Sequence, residues 1–98
     1  MTKEPIDFKK VESLRRHMLL TIKDVCRFFN VSRQTYYNWQ EGMYPKPVKE
    51  GFVRQRVRTL LYALVELKWP TPEAIAANPK YRYDIFLRTL ENAENDGR

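Results

Sequence analysis

The stretch from residue 21 to residue 42, TIKDVCRFFNVSRQTYYNWQEG, constrains the fold most, because it carries start signals for two short helices separated by a tight turn. Thr21 can cap the first helix, with Asp24 completing a near-capping box, and Ser32 can cap the second. Between them Asn30 lies where the chain must reverse, and asparagine tolerates a left-handed backbone. The pattern predicts a helix-turn-helix, an arrangement with which proteins read DNA.

The two predicted helices have an inward and an outward side. The inward positions, which would hold the helices together, are Val25, Cys26, Phe29, Val31, Tyr36 and Trp39. The outward positions of the second helix are Arg33, Gln34, Tyr37 and Asn38. Because arginine, glutamine and asparagine can make bidentate contacts to base edges, these outward residues are predicted to read DNA bases. Two alternatives stay open: Arg33 can instead hold a phosphate, and Tyr37 can pack against the following loop.

Cationic and hydroxyl side chains flank this pair of helices, where the first helix would cross a DNA backbone. The predicted phosphate contacts are Thr21, Lys23, Arg27, Ser32, Lys46 and Lys49. Arg54 and Arg58 share one face of a later helix, so they form either a further cationic surface or an ordinary solvated face. His17, the single histidine, is expected to be a cap or a surface residue rather than a ligand.

The segment VSRQTYYNWQEG resembles the Cro/repressor (Xre-like) helix-turn-helix regulators of phages and bacteria. In that family a Val-Ser-Arg-x-Thr start is followed by Trp seven residues and Gly ten residues after the Ser, and Trp39 and Gly42 keep both spacings from Ser32. The resemblance covers about the middle third of the chain. It departs at Cys26, where Ala is usual, and at Asn30, where Gly is usual. It implies a regulator that binds duplex DNA.

The next segment, GMYPKPVK, resembles the wing of the AlpA and excisionase proteins, which are MerR-like winged helices. In those proteins the Gly lies one residue further from the Ser, and a tryptophan-bearing second wing strand follows, which this sequence lacks. We therefore rank the Cro/repressor resemblance first. Whether residues 42–51 form a short wing-like loop stays open.

The net charge of +6 is unevenly distributed along the 98 residues. Residues 21–68 contain nine Lys or Arg against four acids and carry +5, whereas residues 1–20 carry +2 and residues 69–98 carry −1. The basic excess thus coincides with the predicted motif and the segment after it. Such a concentration favours a polyanionic partner, although a basic surface can also serve only solubility.

Composition argues against several other functions. The single cysteine, Cys26, allows neither an internal disulfide nor a thiolate cluster. One His and one Cys offer no nucleophilic arrangement, and three isolated glycines offer no phosphate-binding loop. We therefore expect no enzymatic activity, catalytic residue, metal, cofactor or small-molecule substrate. The first residues do not form a signal peptide, and the most apolar run, residues 60–67, is interrupted by Glu66 and too short for a membrane span, so we expect a cytoplasmic protein.

Apolar periodicity predicts an all-α fold of five helices, in a single compact domain over residues 1–93 followed by a polar tail over residues 94–98. Besides the two helices of the motif, these are expected over about residues 7–18, 52–68 and 81–93, with a short helical segment over residues 72–77. Residues 42–51, with their prolines and glycines, are expected to be an irregular connection. The expected core positions outside the motif are Phe8, Val11, Leu14, Met18, Leu19, Val53, Val57, Leu60, Leu61, Leu64, Leu67, Tyr83, Phe86, Leu87 and Leu90.

The C-terminal third, residues 69–93, lies outside the resemblance. It forms either the surface of a two-fold homodimer, which would read two half-sites, or the rest of the monomer core. The run from Lys80 to Phe86, KYRYDIF, can also be interpreted as a platform on which single-stranded bases stack. Helical spacing explains its apolar residues without a ligand.

The sequence as a whole favours a sequence-specific binder of double-stranded DNA, a transcriptional regulator of phage or prophage type that represses by occupying its operator. An excisionase-like protein or an antitoxin that binds DNA would have a similar sequence. In a different class, the same fold could be a protein-binding inhibitor module that uses the C-terminal third.

Overall fold

Six α-helices joined by short loops make up residues 4–96, the part of the chain that the computed structural model describes. They are α1 (Phe8–His17), α2 (Ile22–Phe29), α3 (Arg33–Gln40), α4 (Pro47–Val65), α5 (Pro72–Ala76) and α6 (Pro79–Asp96). No strand occurs within residues 4–96, which confirms the all-α class. The predicted number of five helices is wrong, because the short segment expected over residues 72–77 counts as a sixth helix, α5. Its prediction is itself confirmed, since the Thr71 hydroxyl caps α5 by accepting a hydrogen bond from the N–H of Ala74 at 3.2 Å.

Local capping chemistry sets several other helix ends. The Asp7 side chain precedes α1 and accepts hydrogen bonds from the N–H groups of Lys9 and Lys10, at 3.0 and 3.2 Å. α6 is longer than predicted, because proline suits the first helical turn and Pro79 begins it. The predicted polar tail is therefore helical as far as Asp96. Residues 1–3 and 97–98 lie outside the described residues.

The connection between α3 and α4 is shorter than predicted. It comprises residues 41–46 rather than 42–51, because α4 begins at Pro47 and Gly51 lies inside the helix. Proline is tolerated in a first turn, and one glycine within a helix costs only about 1 kcal/mol, which the burial of the following apolar residues can offset. Residues 41–46 contain no strand, so this connection is a plain loop and not a β-wing.

α4 ends at Val65 rather than at Lys68, because the backbone reverses there. Lys68 adopts a left-handed conformation with φ 56°, and the N–H of Trp69 donates to the carbonyl oxygen of Ala63 at 3.0 Å. A left-handed residue with a bond back to the last turn is a frequent helix stop. The Trp69–Pro70 peptide bond that follows is cis.

A single apolar core receives side chains from all six helices. Its largest fully buried side chains are Trp69, Tyr36, Phe29, Phe86, Met18, Leu60, Val25 and Val53. The indole N–H of Trp69 donates to the carbonyl oxygen of Met18 at 2.8 Å, which ties the segment after α4 to the end of α1. Trp69 also packs edge-on against Phe86 of α6, with ring centroids 5.0 Å apart.

The C-terminal third therefore completes the core of the monomer. Trp69, Tyr83 and Phe86 are buried, and Leu90 is partly buried against them. The rings of Tyr83 and Phe86 are consequently inaccessible to bases, so the stacking platform considered for residues 80–86 is wrong. Tyr81 alone of the aromatic residues in that run is exposed.

Three predicted core residues are exposed instead. Leu19, Leu61 and Leu87 have exposed fractions of 40, 48 and 37%. Leu19 follows α1 in a left-handed conformation, with φ 58°, and so leaves the helical stripe. On α4 and α6 the buried stripe is rotated from the predicted one, because Ala63 and Ile85 are buried.

Candidate nucleic-acid interface

Local bonds define the turn between α2 and α3. The Thr21 hydroxyl accepts from the N–H of Asp24 at 3.0 Å and the Asp24 carboxylate accepts from the N–H of Thr21 at 2.9 Å, which completes a capping box. Asn30 is left-handed, with φ 57° and ψ 51°, as predicted. The Ser32 hydroxyl accepts from the N–H of Thr35 at 3.1 Å and starts α3. The predicted helix starts and chain reversal are therefore confirmed.

The inward sides of α2 and α3 meet in the core. Val25, Cys26, Phe29, Tyr36 and Trp39 are buried as predicted, whereas Val31 is only partly buried. The ring of Phe29 stacks on Tyr36 with centroids 6.5 Å apart and meets Trp39 edge-on at 6.1 Å. This aromatic contact fixes the rotation of α3 about its own axis, because two of its side chains are held by one ring.

The outward side of α3 presents the four predicted base-reading residues together. Arg33, Gln34 and Tyr37 are exposed, and Asn38 is partly exposed. The Gln34 amide donates from Nε2 to Oδ1 of Asn38 at 2.9 Å, one helical turn further on. Within residues 4–96, Oε1 of Gln34 and Nδ2 of Asn38 have no protein partner, so the pair offers one acceptor and one donor outward. Tyr37 is 48% exposed.

A polar cluster on α1 supports α3 from behind. The Tyr36 hydroxyl donates to Oε1 of Glu12 at 2.8 Å, and the same carboxylate accepts from Arg15 and Arg16. The hydrogen bond from Arg15 lowers the pKa of Glu12 from 4.5 to about 2, with Tyr36 and Arg16 adding to the effect and burial opposing it. Burial, and the bond to Glu12, raise the pKa of Tyr36.

Ring stacking adds a second link between α1 and α3. Phe8 stacks on Trp39 with centroids 4.8 Å apart. The role of Glu12 is not predictable from the sequence, because a glutamate one turn from an arginine normally indicates only a surface ion pair. No sequence pattern indicates its bond to Tyr36, which is 24 positions away.

Three cations surround a groove at the junction of α2 and α3. Lys23, Arg27 and Arg33 line this groove, whose volume is about 510 Å³, and Cys26 lies at its base. Burial raises the pKa of the Cys26 thiol, while the positive charge of Arg33 acts in the opposite direction. The Arg27 guanidinium lies 4.8 Å from the ring centroid of Tyr83, so α6 positions it. Lys23 is exposed.

The loop after α3 and the start of α4 line a second cleft with residues of α3. Lys49 donates from Nζ to the carbonyl oxygen of Asn30 at 2.8 Å, which ties the start of α4 to the α2–α3 turn. Lys46 is exposed. Gly42 has φ 109°, a conformation that favours glycine and lets the chain leave α3 sharply. This second cleft has a volume of about 500 Å³, and Asn38 of α3 lines it together with Lys46 and Lys49.

The arginines of α4 are distributed unequally. Arg54 pairs with Glu50 at 2.9 Å and is largely buried, so it is not part of a solvated face. Arg56 lies over the rings of Phe28 and Phe52, at 4.6 and 4.9 Å from their centroids. Arg58 is exposed. The sequence left open whether Arg54 and Arg58 form a cationic surface or an ordinary solvated face. Because Arg54 is paired and largely buried while Arg58 is exposed, neither description fits both residues.

Comparison with known proteins provides no relative of this chain: no family model, no curated protein and no solved structure matches it significantly. Within residues 4–96, no helix is long and apolar enough to cross a bilayer. The same described residues contain no cluster of three or more His, Cys, Asp or Glu side chains that could hold a metal ion. The function must therefore be inferred from the geometry of α2, α3 and the residues around them.

Proposed function

We propose that the protein is a sequence-specific binder of double-stranded DNA and a transcriptional regulator that represses by occupying its operator. One observation carries the proposal. α3 buries Tyr36 and Trp39 on one side and exposes Arg33, Gln34 and Tyr37 on the other. The exposed Lys23 lines a groove with Arg33, and the exposed Lys46 lines a cleft with Asn38.

In the proposed mechanism α3 lies in the major groove, which admits an α-helix and displays a distinct pattern for each base pair. Arg33, Gln34, Tyr37 and Asn38 contact base edges. The Gln34–Asn38 hydrogen bond holds the two amides in one orientation before DNA arrives, which lowers the entropy lost on binding. Polymerase is then excluded because the operator is covered.

Phosphate contacts fix the register of α3 in this mechanism. Lys23 and Lys46 are exposed in two separate clefts that α3 residues also line, and in this mechanism each contacts a phosphate of the DNA backbone. Arg27 adds charge beside Lys23. The hydroxyls of Thr21 and Ser32 already cap helices, and Lys49 already binds a carbonyl oxygen, so these three contribute mainly by holding the turn in place.

The first test is selection of bound duplexes from a random pool at stated salt, followed by affinity measurements on the selected sequence. Arg33→Ala should weaken binding by roughly 1–3 kcal/mol and relax the preference at one base pair. Lys23→Ala and Lys46→Ala should each weaken all sequences alike and reduce the slope of log affinity against log salt by about one unit. Arg88→Ala, an exposed arginine on α6, is the matched control and should change neither quantity.

Two results would contradict the proposal. Loss of affinity for every sequence alike in Arg33→Ala would make Arg33 a phosphate contact and remove it from base reading. Binding to duplex DNA no tighter than about 10⁻⁴ M at low salt, weaker than ordinary non-specific association, would refute the operator function itself.

A further inference from the structure

A second surface, away from α2 and α3, has the form of a binding groove. It lies between α1 and α4 and has a volume of about 410 Å³. Its floor consists of Val11 and Leu14 from α1 and Val57 and Leu61 from α4. Leu61 is 48% exposed, so part of this apolar floor has no cover among the described residues.

The groove is long rather than round. The α1 residues that line it recur at steps of three and four from position 7 to position 17, and those of α4 do so from position 54 to position 61. It therefore follows α1 over its ten residues, about 15 Å at the rise of an α-helix. Two helical walls with an apolar floor of this length fit the apolar side of a third helix.

The rim of the groove is cationic. Lys10 on α1 and Arg58 on α4 are exposed, face it from opposite walls and form no ion pair with another residue between positions 4 and 96. The one acid that lines the groove, Asp7, uses its carboxylate to cap α1. An occupant with acidic side chains on both edges of its apolar side would therefore pair with charges that this chain leaves free.

We propose that this α1–α4 groove binds an amphipathic acidic helix of a partner protein. The apolar side chains of that helix, at steps of three and four, pack on Leu14, Val57 and Leu61, and its Asp or Glu side chains pair with Lys10 and Arg58. No residue of α2 or α3 lines the groove, so a helix bound there leaves the recognition side of α3 open. The proposal stands independently of DNA binding.

The test uses a synthetic, fluorescently labelled peptide of 15 or more residues, long enough to form an isolated helix, with Leu at i, i+3 and i+7 and Glu on both edges. A second peptide carries Lys in place of each Glu. Anisotropy titrations against the whole chain should give saturable binding of the Glu peptide and at least about tenfold weaker binding of the Lys peptide, as expected when two or more ion pairs become repulsive.

Variants of the groove decide where the peptide binds. Arg58→Glu and Lys10→Glu should each weaken the Glu peptide about 3- to 10-fold and strengthen the Lys peptide, because the sign of one rim charge is reversed. Leu61→Glu should abolish binding of the Glu peptide. Arg88→Glu and Leu87→Glu, at exposed positions of α6, are the matched controls and should leave both peptides unaffected. Because the variant positions are all exposed, circular dichroism should show unchanged folding.

Three results would overturn the proposal. Equal binding of the two peptides would refute the proposed ion pairs with Lys10 and Arg58. Insensitivity to Arg58→Glu, Lys10→Glu and Leu61→Glu would place the peptide elsewhere. Concentration-dependent self-association in sedimentation, abolished by Leu61→Glu and not by Leu87→Glu, would show that the occupant is a second copy of this chain. Each result is independent of whether the chain binds DNA.

Discussion

Residues 21–42 and residues 47–96 are both mainly helical, but their helices are fixed by different interactions. In the first region Thr21, Asn30 and Ser32 set both ends of α2 and the start of α3 through bonds or dihedral angles within a few residues. In the second, Lys46 precedes α4 without a side-chain cap, and Trp69 is held by the carbonyl oxygen of Met18, 51 positions away in the sequence. Short-range chemistry thus sets the α2–α3 turn, whereas the long helix α4 and the Trp69 segment depend more on burial, although Thr71 caps the short helix α5.

The largest expected effect tests whether the C-terminal region belongs to the same core as the α2–α3 pair. Trp69→Ala should destabilise the protein by about 3–5 kcal/mol, because it leaves a large cavity and the carbonyl oxygen of Met18 unpaired. Trp39→Ala, in the first region, should cost a similar amount. Denaturant titration measures both, with Tyr81→Ala, at an exposed ring, as the control. A Trp69→Ala protein as stable as the control would show that the two regions fold separately.

The next effect concerns the polar link between α1 and α3. Because the folded pKa of Glu12 is about 2 against 4.5, its bonds stabilise the fold fully above about pH 4.5 and are lost as the pH falls towards 2. Glu12→Gln should therefore be less stable than the natural chain by about 1.5–3 kcal/mol near pH 7, the usual range for hydrogen bonds to a charged group.

Measuring the free energy of unfolding from pH 7 to pH 2 tests this link. The difference between the natural chain and Glu12→Gln should shrink through that acidic range, whereas Glu73→Gln, at an exposed acid of α5, should show almost no difference at any pH. A Glu12→Gln difference that stays constant down to pH 2 would mean that the charge of Glu12 is not what binds α1 to α3.

Capping threonines provide a smaller comparison between the regions. Thr21→Ala removes half of a reciprocal capping box and should cost about 1 kcal/mol. Thr71→Ala removes a single bond from a helix of five residues and should cost about 0.5 kcal/mol, at the low end for such caps. Thermal melting of the two variants side by side measures the difference. The reverse order of cost would mean that short-range chemistry matters more in the C-terminal region than we infer.

The smallest effect is expected at the turn. Asn30→Gly should change stability by no more than about 0.5 kcal/mol, because glycine adopts the left-handed conformation freely, while Asn30→Ala should cost roughly 1 kcal/mol or more. Both can be measured by denaturant titration. Equal stability of the two variants would show that the turn is imposed by the packing of α2 on α3 and not by its own residue.

The success of sequence analysis followed the range of the interactions involved. The ends of α2 and the start of α3 were predictable, because Thr21, Asn30 and Ser32 act on neighbours three or four residues away. The inward and outward sides of α3 followed from helical periodicity. Glu12 was missed and Leu61 was wrongly placed in the core, because contacts between α1, α3 and α4 have no periodic signature. Leu61 is instead an exposed apolar residue that lines the α1–α4 groove.

The bond from Trp69 to Met18 also affects when the core can form during synthesis of the chain. Phe28 of α2 likewise packs edge-on against Phe86 of α6, with ring centroids 5.5 Å apart. The core is therefore complete only after α6 has been synthesised. At about 5–20 residues per second of synthesis, roughly 3–12 s separate the appearance of Phe28 from that of Phe86. During this interval the capped α2–α3 segment has its aromatic side chains uncovered. A ribosome that stalls within α4 would therefore release an aggregation-prone chain and not a smaller working motif.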